Sequence, residues 1–217
     1  PEVDHGQEDA DWNKTEIDKA IELAQAYPDI AKIIAVGNEA LVHWQAHFVL
    51  PSVILKWVNY LRDAQAEGRL PADTLITTSD NWAALGGEEA YRHGDLLELL
   101  RQIDFVSLHT YAFHGTHYDN ALLWGATPDE MQLPVTEQAR LSIERAVASQ
   151  KWQFKAVEKF LKDNNIDKAI HIGETGWATL DNALYGYDGT CAGDEYLSKL
   201  FYDAVREWTL AEKLTCF

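Results

Sequence analysis

Basic residues are scarce in this chain of 217 residues: 18 Lys and Arg stand against 35 Asp and Glu, which leaves a formal net charge of −17 at pH 7. Binding to the phosphates of nucleic acids or to an anionic membrane surface requires an excess of Lys and Arg. The composition therefore argues against both kinds of partner. It suits a neutral substrate.

Long apolar runs are missing as well. No stretch approaches the roughly 20 apolar residues that a membrane-spanning helix needs, although 47% of the residues are hydrophobic and eight are tryptophans. This predicts a globular protein with a sizeable core and no membrane span. The chain starts with PEVDHGQEDADW, without a Met, and we expect Pro1 to be a cut point in a longer protein.

Cysteine is limited to Cys191 and Cys216, which excludes a disulfide framework and a zinc site of four cysteines. The sequence is compatible with one disulfide between these two cysteines and equally with two free thiols.

Two common sequence motifs are also missing. No Gly-rich phosphate turn follows a strand, which disfavours a nucleotide-binding fold, and no Gly-x-Ser-x-Gly elbow is present, which disfavours a serine hydrolase.

Helical and strand periodicities alternate along the chain. The first helix carries apolar residues at helical spacing behind Thr15, the expected N-cap. A second helix runs from Pro51 to a stop at Gly68. The other predicted elements are, in order, the strands KIIAVGNE and TLITTSDNW, the helix DLLELLRQI, the strand DFVSLHTYAF, a helical segment, with or without a break, from Pro134 to about Asn165, the strand KAIHIGETGW, a helix from about Asp194 to Ala211, and the closing KLTCF.

This alternation predicts an α/β fold with a parallel sheet, because each parallel pair needs a crossover connection. Polar and aromatic residues gather where the strands end, as on the catalytic rim of a (β/α)8 TIM barrel. Only four strands and the start of a fifth fit into the sequence, whereas a barrel has eight. We therefore expect residues 1–217 to form part of one catalytic barrel, with about three strands missing upstream and the last strand incomplete.

Two glutamates, Glu39 and Glu174, each close a predicted strand. A single glutamate there is equally a helix cap, a salt-bridge partner or a calcium ligand. A facing pair of carboxylates is what glycosidic bond cleavage requires, one as the acid and one as the nucleophile. Asn38 can place an amide near a sugar 2-hydroxyl beside Glu39, and Tyr111 can donate to the Glu174 carboxylate and keep it ionised.

Aromatic and polar residues at the same strand ends and loops are candidates for substrate binding. Indole faces pack against sugar C–H groups, while the N–H stays free to donate; the alternative is that each ring seals a loop core. The candidates are Trp44, Asn81, Trp82, His109, Phe113, Trp124 and Trp177.

Histidines and acidic residues also raise the question of a metal. His43 and His47 have helical spacing, but HWQAH lacks the Glu of a zinc-protease motif and precedes the expected helix start. The loop histidines His109, His114 and His117 are more readily explained as sugar contacts or satisfied loop residues, and Asp119, Asp129 and Glu130 do not have the spacing of an EF-hand loop. We expect no metal and no cofactor.

The segments AVGNEA and HIGETGWAT together resemble glycoside hydrolase family 17, the β-1,3-glucanases, and are most similar to its bacterial, laminarin-degrading members. The resemblance implies that Asn38 and Glu39 end strand four, with Glu39 as the acid/base. It also implies that Glu174 ends strand seven as the nucleophile, and that Tyr111 lies beside it on strand six. The chain departs from the family in lacking strands one to three and the charged residues that follow strand eight.

From these residues and this resemblance we expect a monomeric, retaining hydrolase of laminarin-like β-1,3-glucan that acts within the polymer. A β-1,3-glucanosyltransferase with the same two glutamates is the nearest alternative. A glucan-binding barrel without activity is a third. The polymeric substrate implies a secreted, periplasmic or cell-surface location.

Overall fold

The computed structural model describes residues 10–92, 94–112, 126–180 and 193–217. They divide into two compact units. The first unit contains the residues up to Leu108 together with Ala156–His171, and the second unit contains His109–Lys155 and Ile172–Phe217.

Helices and strands alternate along the described residues, as the periodicity predicts. The elements are α1 (Ala10–Ala26), β1 (Ile33–Asn38), α2 (Pro51–Ala66), β2 (Leu75–Asn81), α3 (Gly94–Gln102), β3 (Val106–His109), α4 (Val135–Asp163), β4 (Ile170–Glu174) and α5 (Glu195–Glu212). Short helical turns lie at Ala83–Gly87, Glu89–Tyr91 and Glu130–Gln132. None of the helices among the described residues has the length and apolarity needed to cross a bilayer.

The four strands form one parallel sheet in the order β1-β2-β3-β4. β1 pairs with β2 in parallel, with Ile33 opposite Leu75. Between β2 and β3 the hydroxyls of Ser79 and Ser107 lie 2.8 Å apart. The predicted α/β fold with a parallel sheet is thus confirmed for the described residues.

In the second unit, β4 has a further neighbour. The Ile172 N–H donates to the Thr215 carbonyl at 2.9 Å, and the Phe217 N–H donates to the Ile172 carbonyl at 3.0 Å. Ile172 and Cys216 form a parallel bridge. The closing segment KLTCF is therefore joined to β4 by a single bridge, and the expected fifth strand stays a prediction.

Local sequence explains where the helices begin. Pro51 stands in the first turn of α2, where its missing N–H costs nothing. The Asp194 side chain caps α5 by accepting from the N–H groups of Tyr196 and Leu197. Thr15 is expected to cap α1, and this is wrong, because α1 begins at Ala10. The exposed residues Trp12, Lys14 and Thr15 carry no apolar period that would mark the start.

Each unit has an apolar core of its own. In the first unit, the helices α2 and α3 and the strand β2 bury Leu61, Ile76, Leu96 and Leu99 completely. In the second unit, a cluster from α4, α5 and the segments that follow β3 and β4 contains Ala112, Ile143, Ala146, Val147, Trp177, Phe201 and Val205. These cores hold the strand ends that carry the candidate site residues.

An irregularity in β1 lies just before Glu39. The β1-β2 register shifts between Ala35 and Asn38, and Gly37 within this bulge has φ of +80°. A Cβ at Gly37 would lie 2.9 Å from Ile54 Cδ1. The backbone conformation favours glycine here, and a Cβ would require the terminal methyl of the buried Ile54 to shift.

We expect Gly37→Ala to lower the free energy of unfolding by about 2 to 4 kcal/mol, from left-handed strain plus overpacking. Gly68 is a matched control, because it has φ of +75° but a Cβ added there would meet nothing within 4 Å; Gly68→Ala should cost only the strain, about 1 kcal/mol. Urea unfolding of both variants measures the difference. Equal losses would show that the contact with Ile54 contributes nothing.

His171, the second residue of β4, makes the stability of the first unit depend on pH. Its ring stacks on Phe105 with centroids 4.5 Å apart, and burial lowers the pKa of His171 below its usual 6.5. The folded state therefore resists protonation, and the unfolded state binds more protons below pH 6.5.

Stability should accordingly be full above about pH 6.5 and fall as the pH drops below it. We expect His171→Gln to reduce the difference in unfolding free energy between about pH 5 and about pH 7.5. Urea titrations at both pH values, on the wild type and the variant, check this. An unchanged difference would exclude His171 as the source.

Candidate active site

Glu39 is the residue that follows β1, in the first unit. It is half-buried, and its φ of +46° is unusual for a residue with a side chain. Its N–H donates to the Ser79 carbonyl of β2 at 3.0 Å. Together with the bulge at Gly37, this bond sets the direction in which the Glu39 side chain leaves the strand. Asn38, the last residue of β1, is exposed beside it.

Asp80 of β2 holds the chain immediately after Glu39. Its carboxylate is fully buried and accepts from the Leu41 N–H at 2.8 Å and from the Asn81 N–H at 2.8 Å. Hydrogen bonds from backbone N–H groups stabilise a buried carboxylate in its ionised form. Asp80 therefore holds the segment that follows β1 against the C-terminal end of β2.

The loop beyond Leu41 packs on Tyr91. The His43 N–H donates to the Tyr91 hydroxyl at 3.2 Å, the His43 ring stacks on the Tyr91 ring, and Trp44 meets that ring edge-on. Burial raises the pKa of Tyr91. Trp44 is 63% exposed, so this predicted substrate-binding indole presents a free face. His43 and His47 precede the first residue of α2 and lie outside any helix, as expected.

Asn81 and Trp82 form the turn at the end of β2. The Asn81 side-chain oxygen accepts from the Ala83 N–H at 3.0 Å. Both residues are half-buried, and a Cβ at Gly87 would overlap the Trp82 ring. The structure thus places the five first-unit candidates Asn38, Glu39, Trp44, Asn81 and Trp82 at the carboxyl ends of two neighbouring strands.

Glu174 ends β4 in the second unit. The Tyr111 hydroxyl donates to Glu174 Oε2 at 2.9 Å, as the sequence predicts. His109 Nδ1 lies 3.5 Å from the same oxygen. The Glu174 side chain is 39% exposed, so one side of the carboxylate is held by protein groups and the other is open to solvent. This is the arrangement that orients a carboxylate while leaving it accessible.

The buried surroundings of two other candidates favour different roles from those expected. The His109 side chain has no exposed surface, which favours holding the Glu174 carboxylate over contacting sugar. Trp177 is 8% exposed and packs against Phe201 with ring centroids 5.5 Å apart, which favours a core role over a stacking platform. Sugar contact by either residue stays a prediction. Phe113 and Trp124 lie outside the described residues, as do His114 and His117.

Two buried polar residues near these strand ends are absent from the sequence-based set. Asp80 is a fully buried acid near the end of β2, and Gln150 is an amide on the face of α4 that also buries Ala146 and Val147. A buried polar residue must find partners. The signal in the sequence is a polar residue at a position where the helix or strand periodicity predicts a buried side chain.

Of the comparisons with known proteins, the one with solved structures gives matches. No family model matches the chain, and no curated protein matches it either. Among solved structures, the chain is similar to an endo-laminarinase from Formosa Hel1_33_131, with 46% sequence identity and a TM-score of 0.89. The similarity covers 94% of this chain and 52% of that chain, so the chain spans about half the length of this relative.

Proposed function

We propose that the chain is part of a retaining glycoside hydrolase that cleaves the β-1,3-glucosidic bonds of a laminarin-like glucan. The observation that carries the proposal is the carboxylate of Glu174, oriented by the Tyr111 hydroxyl at 2.9 Å at the end of a parallel strand. The 46% identity to an endo-laminarinase over 94% of the chain supports the same substrate class and internal cleavage.

In this proposal Glu174 is the nucleophile. Its carboxylate attacks the anomeric carbon and forms a covalent glycosyl-enzyme, and the bond to the departing glucosyl oxygen breaks. The Tyr111 O–H holds one carboxylate oxygen at 2.9 Å, which leaves the other oxygen to attack. His109, fully buried beside the same oxygen, limits the rotation of the carboxylate.

Glu39 is the proposed acid/base. It protonates the departing oxygen in the first step and removes a proton from the attacking water in the second. Glu39 follows β1 and Glu174 ends β4, and both strands belong to the same parallel sheet. Parallel strands have their carboxyl ends at one edge of the sheet, and the proposal requires the two carboxylates to lie about 5 to 5.5 Å apart for retention.

The proposed architecture is a (β/α)8 barrel of glycoside hydrolase family 17. Four parallel strands joined by helical crossovers, with the candidate residues at their carboxyl ends, support it. In the strand numbering of the proposed complete barrel, β1 to β4 are strands four to seven, and the segment at Cys216 starts strand eight. We further propose that the enzyme acts outside the cytoplasm, because its substrate is a polymer.

Trp44 is the proposed sugar platform of the first unit. Its indole is 63% exposed, and the edge contact with Tyr91 holds it from behind. An exposed face on a fixed ring suits stacking against the apolar face of a glucosyl unit.

A panel of glucans tests the substrate. The complete protein is incubated with β-1,3-glucan, mixed-linkage glucan and β-1,4-glucan, and new reducing ends and product lengths are measured. We expect reducing ends from β-1,3-glucan, with short oligosaccharides of several lengths. Elongated chains at high oligosaccharide concentration would establish a glucanosyltransferase instead, and binding without any turnover would establish a glucan-binding protein.

A further inference from the structure

We propose that Gln150 is a positioning residue for the nucleophile: its amide ties together the two strand ends that carry Tyr111 and Glu174. This inference rests on the proposed function, since it takes Glu174 to be the attacking carboxylate. Gln150 would act through the two threonines to which its amide donates, Thr110 and Thr175.

The contacts lie within the second unit. Gln150 Nε2 lies 3.0 Å from the Thr110 hydroxyl and 2.9 Å from the Thr175 hydroxyl. A glutamine amide carries two N–H donors, and here each finds one hydroxyl. Gln150 and Thr110 are both fully buried, so water does not compete for the bond between them, whereas Thr175 is half-buried.

The two threonines stand next to the reactive groups. Thr175 directly follows Glu174, and Thr110 lies between His109 and Tyr111. The Thr110 N–H also donates to the Glu174 carbonyl at 3.1 Å. The peptide carrying Glu174 is thus tied to the end of β3 once through the backbone and once through Gln150.

A connection through Gln150 is needed in addition to the backbone hydrogen bond, because regular pairing between β3 and β4 stops at their C-terminal ends. β3 ends at His109 and β4 ends at Glu174, so beyond these residues the strand ladder no longer sets the spacing. A nucleophile that is misplaced by about 1 Å loses roughly 10²-fold in rate. A bridge from the rigid helix α4 keeps Tyr111 and Glu174 at their 2.9 Å separation.

Packing alone does not account for a glutamine at this position. Gln150 lies on the buried face of α4, where Ala146, Val147 and Phe154 are apolar. Its own carbonyl oxygen, Oε1, is buried without a hydrogen-bond partner among the described residues. An unsatisfied buried oxygen is unfavourable, and leucine would fill a similar volume without it. The presence of an amide is therefore explained by the hydrogen bonds that it donates to the hydroxyls of Thr110 and Thr175.

Gln153 offers a matched control on the same helix. It is also a buried glutamine whose Oε1 has no partner in the described part of the chain, and no contact joins it to Thr110 or Thr175 there. In the complete protein, Gln150→Leu should lower kcat on β-1,3-glucan by about 10- to 100-fold, with KM within about twofold of wild type. Gln153→Leu should leave both constants near wild type.

The threonine side of the bridge gives an independent readout. Thr175→Val removes the hydroxyl at constant shape and should lower kcat as Gln150→Leu does, and Thr175→Ser should restore most of the loss. The double variant Gln150→Leu/Thr175→Val should be little worse than either single variant, because one bridge can be broken only once. Thermal unfolding of every variant accompanies the kinetics.

Four outcomes would overturn the inference. A folded Gln150→Leu with kcat within about twofold of Gln153→Leu would mean that the amide does not position the site. Similar losses of kcat and of thermal stability in both variants would mean that any buried change in α4 has this effect. Additive losses in the double variant would mean that the two residues act separately. A wild type and a Gln153→Leu variant that both fail to cleave every glucan would overturn the proposed function, and the inference with it.

Discussion

Glu174→Gln is expected to lower kcat on β-1,3-glucan by at least about 10³-fold, because an amide oxygen cannot form the glycosyl-enzyme ester. The change is nearly isosteric, and the amide oxygen can still accept the Tyr111 hydroxyl that now lies 2.9 Å from Oε2. Fold and substrate binding should therefore persist. Initial rates on laminarin, with binding of oligosaccharide measured separately, check the prediction.

The control for this change is Glu98→Gln on α3. Glu98 is exposed and lies on the surface of the first unit, so the same loss of one negative charge should leave kcat unaltered. Near-normal hydrolysis by Glu174→Gln would exclude Glu174 as the nucleophile. Loss of oligosaccharide binding together with activity would indicate damage to the fold instead.

Glu39→Ala is expected to lower kcat/KM on laminarin by about 10²- to 10⁴-fold, the usual contribution of general acid catalysis. The loss should depend on the leaving group. An aryl β-laminarioligoside with an acidic phenol needs no proton to depart, so its first step should stay fast and the glycosyl-enzyme on Glu174 should accumulate. A burst of phenol followed by slow turnover is the measurement.

Azide separates the roles of the two glutamates. In Glu39→Ala, azide should attack the glycosyl-enzyme and give a β-glycosyl azide; in Glu174→Ala, it should attack the substrate directly and give the α-azide, because only one displacement occurs. The same anomer from both variants, or no rescue of either, would show that the roles are assigned wrongly. NMR of the azide products distinguishes the anomers.

Much of the fold could be predicted from the sequence because its signals are local. Pro51 marks the start of α2, Asp194 caps α5, and buried apolar runs give the four strands. The alternation of helices and strands then requires parallel pairing. The sequence pattern places the start of α1 too late, at Thr15, because the exposed residues before it have no period that could show where the helix begins.

The candidate site was only partly predictable. The pairing of Tyr111 with Glu174 was predicted, because both lie at strand ends of a parallel sheet. The burial of Trp177 depends on Phe201 of α5, and no local pattern distinguishes an indole that stacks on sugar from one that packs on a helix. The roles of Asp80 and Gln150 arise from hydrogen bonds to residues 25 to 40 positions away, which a sequence period cannot indicate.

The bulge at Gly37 and the positive φ of Glu39 were likewise beyond the sequence. A glycine before a strand-ending glutamate is consistent with ordinary extended backbone, and only the contact with Ile54 shows why no side chain fits. Strain of this kind often gathers at functional positions. Its location next to the proposed acid/base agrees with the assignment of Glu39.

The anomeric form of the first product tests the central claim most directly. Laminarin is hydrolysed by the complete protein in an NMR tube, and the anomeric proton of the new reducing end is followed from the earliest time points. Double displacement through Glu174, with Glu39 as the acid/base, predicts that the β-anomer appears first and that the α-anomer follows only by mutarotation. An α-anomer that appears first would mean a single displacement by water and would contradict the account.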